Sequence, residues 1–128
     1  MTRTRTLVLL ISVIVVAIGV VAVVGLLNQP TQRATPTFTL TTNSTTASLN
    51  RDVRLKGTLS VSKTGQVTLY WSIGSSEFGY HTSETMTNGV FERDFGFGQT
   101  GTWRFKVFWQ GDAEYNEVES NIVIVTVS

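Results

Sequence analysis

The chain has 128 residues, no cysteine, one histidine, 15% charged residues and a formal net charge of +1. That length admits one ordinary domain, or a smaller domain with an accessory segment. The lack of cysteine excludes a disulfide scaffold, a thiolate zinc site, a cysteine nucleophile and a thiol lipid anchor, and near-zero charge leaves no electrostatic basis for nucleic-acid binding.

In chain order, residues 1–6 carry Arg3 and Arg5 as a positive n-region, which the positive-inside rule places in the cytoplasm. Residues 7–27 read LVLLISVIVVAIGVVAVVGLL, where only Ser12, Gly19 and Gly25 are not strongly apolar. As a helix they rise about 31 Å, the thickness of a bilayer's hydrocarbon core, and in lipid a helix satisfies its own backbone. The run is long for a secretory signal and ends at Leu26-Leu27-Asn28-Gln29-Pro30, without the small-residue pattern of a cleavage site. The expectation is an uncleaved signal anchor that puts lipid around residues 7–27 and the rest of the chain outside; a cleaved signal would make the protein secreted. The six-residue spacing of Gly19 and Gly25 is not that of a GxxxG helix-pairing face.

Residues 28–36 form an extended polar linker, which spans at most about 30 Å. From Thr31 to Ser48 there are eight threonines and two serines, and Phe38 and Leu40 alternate with Thr37, Thr39 and Thr41 as a short strand. Asn43-Ser44-Thr45 is an N-x-[ST] acceptor for glycosylation, within what otherwise reads as a solvated polar segment.

Val53, Leu55, Gly57, Leu59 and Val61 alternate with polar residues, one face buried and one wet. Ser62-Lys63-Thr64-Gly65 turns the chain into a second strand, with Val67, Leu69, Trp71 and Ile73 inward and Thr68, Tyr70 and Ser72 outward. Gly79 to Thr87 is polar, and His81 within it is expected on a loop or edge. Asn88-Gly89 suits a tight hairpin into a third strand, Phe91 to Phe97. A fourth points Trp103, Phe105, Val107 and Trp109 inward. The last, Asn121 to Ser128, is nearly continuous in Ile and Val, so it is either covered on both faces or weak in register. Short strands with Gly and Asn at the joints, and no helical period after Pro30, predict an all-β fold, a two-sheet antiparallel sandwich over residues 37–128. All thirteen aromatic residues lie between Phe38 and Tyr115, enough to build a core without disulfides.

Gly96-Phe97-Gly98-Gln99-Thr100-Gly101 spells GxGxxG, but a strand follows it where dinucleotide binding needs a helix. One histidine without cysteine does not make a zinc site, and no G-x-S-x-G nucleophile turn occurs. Glu92 and Asp94 share a strand face, and Asp112, Glu114, Glu117 and Glu119 crowd the loop before the last strand. No calcium-loop spacing is present there, nor a cleft for paired-carboxylate glycosidase chemistry. Tyr70 and Phe108 have the wrong parity for the core. They either pair across strands or form a surface patch that binds sugar or protein.

The segment GTWRFKVFWQGDAEYNEVES from Gly101 to Ser120, followed by the Val-rich run 122–127, resembles the end of a bacterial or archaeal Ig-like domain of the GD-x-x-Y type. Asn88-Gly89-Val90, Gly57 and Gly65 also fall at positions similar to that family's, and the likeness covers about residues 36–128. It implies an Ig-like sandwich in which Asp112 caps a turn through backbone N–H groups and Tyr115 packs its ring and bonds its hydroxyl at the sandwich end. Such domains serve as spacers and adhesion modules of cell-surface proteins, usually in tandem, whereas this chain carries one copy. The expected function is thus a membrane-anchored extracellular module with a structural or adhesion role, a protein or glycan partner, no enzymatic activity and no cofactor. The alternatives are a surface filament or layer subunit, in which the strand at Phe38–Leu40 completes a neighbour's sandwich, and a small carbohydrate-binding module.

Overall fold

In the computed structural model, described over residues 32–128, the chain is all-β. The n-region and the apolar run 7–27 lie outside the described residues, and among those described no helix is long and apolar enough to cross a membrane. Nine strands follow one another: β1 (Phe38–Thr42), β2 (Thr46–Ala47), β3 (Asp52–Leu59), β4 (Gly65–Ile73), β5 (Tyr80–Met86), β6 (Val90–Gly96), β7 (Gly101–Trp109), β8 (Val118–Glu119) and β9 (Val123–Val127).

They form two sheets. The smaller has the order β1-β3-β6, and the larger runs β2-β9-β7-β4-β5 with β8 added beside β7. All pairings are antiparallel except that of β2 with β9. Strict alternation explains the register, because a slip of one residue would turn a whole apolar row to water. In β3, Val53, Leu55 and Leu59 are buried while Arg54, Lys56 and Thr58 are exposed; in β7, Trp103, Phe105, Val107 and Trp109 are buried.

The core between the sheets is aromatic at one end. Phe95 lies edge-on to Trp71, Trp103 and Phe105, with ring centroids 5.1, 5.7 and 4.9 Å away, and Phe97 lies edge-on to Trp103 at 4.9 Å. This is the geometry that the quadrupoles of aromatic rings favour. Asn88 and Gly89, with φ of 52° and 81°, form the two-residue turn between β5 and β6. Both central residues at positive φ define the hairpin type expected there.

Three features differ from the simple parity pattern. Val123, Val125 and Val127 of β9 are buried while Ile122 and Ile124 are 51% and 47% exposed, so the strand has one covered face and one register. Ser72 has outward parity yet is only 2% exposed, because the following loop folds back and the Ser72 hydroxyl donates to the Ser75 carbonyl at 2.6 Å. The polar stretch holding His81 is a regular strand, β5, at the edge of the larger sheet beyond the cover of the three-stranded one. Its inward-facing Glu84 meets Arg93 of β6, another edge strand, and that guanidinium also donates to Thr82 at 3.1 Å. Inward-pointing charges on edge strands discourage pairing with another chain.

The approach to the sandwich is fastened before residue 37. The Ala34 carbonyl accepts from the Asn116 backbone N–H at 2.8 Å, and the Asn116 side-chain amide donates to the Arg33 carbonyl and the Thr35 hydroxyl at 3.1 and 2.9 Å. Arg33 in turn donates to the Asp112 carbonyl at 2.9 Å, and Pro36 is buried.

Candidate functional site

The loop that follows β7 is organised by the five residues from Gly111 to Tyr115. Gly111 has a φ of 82°, and a Cβ there would stand 2.6 Å from the Tyr115 carbonyl oxygen, so the chain can close on itself only at glycine. Asp112 then accepts, through Oδ1, the backbone N–H groups of Glu114 at 2.8 Å and Tyr115 at 2.9 Å. Its own N–H donates to the Tyr115 carbonyl at 3.0 Å. An Asx turn of this kind satisfies locally the groups that no sheet reaches. Lys63, from the β3–β4 turn, places Nζ 2.9 Å from Asp112 Oδ2 and 2.8 Å from Glu114 Oε1.

Hydrogen bonds that Lys63 donates to Glu114 first, and to Asp112 second, hold its ammonium well above the ordinary lysine range. The reciprocal bond from Lys63, aided by the two backbone N–H groups, lowers the Asp112 carboxyl. Tyr115 packs its ring against Trp109, with centroids 6.5 Å apart, and lies 5.1 Å from the Lys63 ammonium. Among the described residues its hydroxyl makes no hydrogen bond, so the tilted contact with Trp109 and the Lys63 cation hold the ring. Asp112 and Tyr115 thus meet in one turn, and its chemistry is architectural.

Tyr70 and Phe108 both emerge on the outer face of the larger sheet. Tyr70 pairs with Lys106 and Phe108 with Thr68, which makes the two rings diagonal neighbours across β4 and β7. Their surroundings differ. Tyr70 is hemmed in by His81, at a ring separation of 5.9 Å, and by Lys106, whose Nζ lies 5.8 Å from the Tyr70 ring and 4.7 Å from that of Phe78. Lys106 is itself matched by Glu119 at 3.1 Å. Phe108 instead borders a hollow of about 240 Å³ shared with Gln66, Thr68, Ser83 and Gln110.

Asn43 lies on the chain's crossing from the smaller sheet to the larger, at the end remote from the β7–β9 loop. It is exposed, and its Oδ1 accepts the Arg54 backbone N–H at 2.9 Å. A larger hollow of about 420 Å³ sits beside it, bordered by Ser44, Arg51, Asp52 and Ser128. Glu92 and Asp94 are both taken up by Arg54, at 3.2 and 2.8 Å, and the Asp94 carboxylate raises the guanidinium's pKa. Among the described residues no cluster of three or more His, Asp or Glu side chains could hold a metal ion.

Two groups of residues had no signal in the linear pattern. Asn121 Oδ1 accepts the Leu40 N–H at 2.8 Å and its Nδ2 donates to the Leu40 carbonyl at 2.9 Å, so one side chain does for β1 what a neighbouring strand would. Gln66 and Ser83 join Phe108 only through the registers of β4 with β7 and with β5, and Ser83 Oγ donates to Gln66 Oε1 at 2.8 Å. Neither a scan against protein-family models nor a search of curated proteins finds a match to this chain.

Proposed function

We propose that the chain is an outward-facing, membrane-anchored Ig-like module with a non-catalytic structural or interaction role at a cell surface. The observation that carries this reading is the order of strands. Strands β1, β3 and β6 in one sheet, and β9, β7, β4 and β5 in the other, follow the order expected of strands A, B and E against G, F, C and C′ in an Ig-type sandwich, which supports the reading. The turn at Gly111-Asp112-x-x-Tyr115 lies between β7 and β9, neighbouring strands of the larger sheet, and this also supports the reading. The anchor rests on the apolar run 7–27 and the flanking Arg3 and Arg5.

Fractionation with alkaline extraction, combined with protease shaving of intact cells, tests the reading. The chain should stay with the membrane pellet and lose the sandwich epitope to external protease. Recovery in the cytosolic fraction overturns it; a mature form that begins after residue 27 converts it to a secreted module.

One observation favours assembly as a second reading. β1 is a terminal edge strand that nonetheless supplies buried Phe38 and Leu40 to the core. A neighbour's copy of β1 could fill the same slot, the arrangement of strand complementation. Light scattering after size exclusion should then show polymers, and a persistent monomer removes this alternative.

A further inference from the structure

The outer hollow at Phe108 has a chemistry that the larger hollow lacks. Its lining is one half-buried aromatic ring, two primary amides (Gln66 and Gln110) and two hydroxyls (Thr68 and Ser83), with no charged group. Lys106, two residues before Phe108 on the same face of β7, is already paired with Glu119. The larger hollow brings together Arg51 and Asp52 and no aromatic side chain.

We propose that the Phe108 hollow is a subsite for one neutral sugar ring of a glycan, which deepens the interaction-module reading and rests on it. A sugar ring presents an apolar C–H face and a rim of hydroxyls that both donate and accept. Phe108 offers a surface for the first, and amides and hydroxyls, which also donate and accept, serve the second. An anionic ligand would find no charge to pair with in this lining.

The arrangement is ordered in advance. The Ser83 hydroxyl donates to Gln66 Oε1 at 2.8 Å, and Gln66 Nε2 lies 3.5 Å from Thr85 Oγ1, so the β5 hydroxyls hold the amide at both of its polar atoms. One N–H and one lone pair on that amide remain to meet a ligand. A preset amide reduces the ordering cost of binding. The volume of about 240 Å³ falls below the roughly 300–1,000 Å³ of pockets for drug-sized ligands, so the hollow takes one ring of a longer chain and binds weakly. Tyr70 stands outside the subsite because its ring is engaged by His81 and Lys106.

The test uses the full-length chain in detergent micelles against maltohexaose, cellohexaose, mannohexaose and chitohexaose, with a heparin hexasaccharide as the anionic comparator. Saturation-transfer NMR should give saturable binding to at least one neutral oligomer and weaker or no binding to heparin. Phe108→Ala should weaken binding about tenfold or more, the loss expected of an aromatic anchor, and Gln66→Ala should weaken it several-fold. Phe108→Tyr should retain it, and Tyr70→Ala should leave it within about twofold. The unfolding midpoint of each variant guards against loss of fold, and the exposed Gln66 supplies the second test if Phe108→Ala does not fold.

No binding across the neutral panel overturns the subsite, as does a preference for heparin or binding that survives both Phe108→Ala and Gln66→Ala. A chain that faces outward from the membrane yet binds no sugar overturns the subsite and leaves the interaction-module reading standing. A chain found in the cytosol overturns that reading whatever it binds.

Discussion

Replacing Asn121 tests how β1 is held at its open edge. Leu40 is 1% exposed, and both of its outward backbone groups bond to this one side chain. Asn121→Ala deletes two hydrogen bonds, each worth about 0.5–1.5 kcal/mol net. Water reaching through the vacated space recovers part of that loss, because Asn121 itself is exposed. The expected cost is about 2 kcal/mol, which for a domain of this size lowers the unfolding midpoint by about 8–16 °C. Asn121→Asp sharpens the test. A carboxylate still accepts the Leu40 N–H but turns its second oxygen toward the Leu40 carbonyl, so at neutral pH the variant should be no more stable than Asn121→Ala. Once protonated, the acid can donate again and mimic the amide. Its folded-state pKa is therefore raised above the unfolded value of about 3.9, and it should gain on Asn121→Ala as pH falls toward 4. Urea unfolding of residues 32–128, followed by tryptophan fluorescence between pH 3 and 7, measures both effects. A cost below about 0.5 kcal/mol for Asn121→Ala, with no acid recovery of Asn121→Asp, would refute the idea that the side chain stands in for a strand.

Two further substitutions probe the β7–β9 loop. Gly111→Ala forces a Cβ onto the backbone of Tyr115 and Glu117 at positive φ, so it should lose about 2 kcal/mol or more in the same unfolding assay. Because hydrogen bonds from Lys63 and the loop N–H groups depress the Asp112 carboxyl, its stabilisation is present above the unfolded pKa and disappears as pH falls through the folded one. Asp112→Asn should accordingly flatten the acid limb of the stability profile below about pH 4, and an unchanged limb would contradict this.

Much of the larger sheet can be read from side-chain order alone. Trp103, Phe105, Val107 and Trp109 alternate so cleanly with polar residues that β7 and its buried face follow from the period of two. β9 is ambiguous on the same criterion, since Ile and Val occupy both parities; the isoleucines face outward only because Val123 and Val125 oppose Phe105 and Trp103, core residues of β7. β5 hides for the opposite reason. Of its inward-facing residues Tyr80, Thr82, Glu84 and Met86, only Met86 is buried, because the smaller sheet is too narrow to cover that edge. Asp112 and Tyr115 are legible as a local turn. Asn121 is not, because its partner Leu40 lies 81 positions away and no spacing announces the contact. The hollow at Phe108 is half legible: parity exposes the ring, but only the registers of β4 with β5 and β7 bring Gln66 and Ser83 beside it.

The parallel pairing of β2 with β9 has a mechanical consequence. The chain reaches the sandwich beside Tyr115 and leaves it at Ser128, whose N–H donates to the Ala47 carbonyl at the other end. Tension between Arg33 and Ser128 would draw the first strands and the last strand past one another along their own axes. The Thr126–Thr45 and Ser128–Ala47 bonds, together with the paired bonds of Asn121 to Leu40, would share that load in shear. They would have to yield together, whereas strands pulled apart from one end open a bond at a time. Under tension the lifetime of such a fold is set by its unfolding rate, so the few bonds that tie the first strands to the last decide how long the module survives under load.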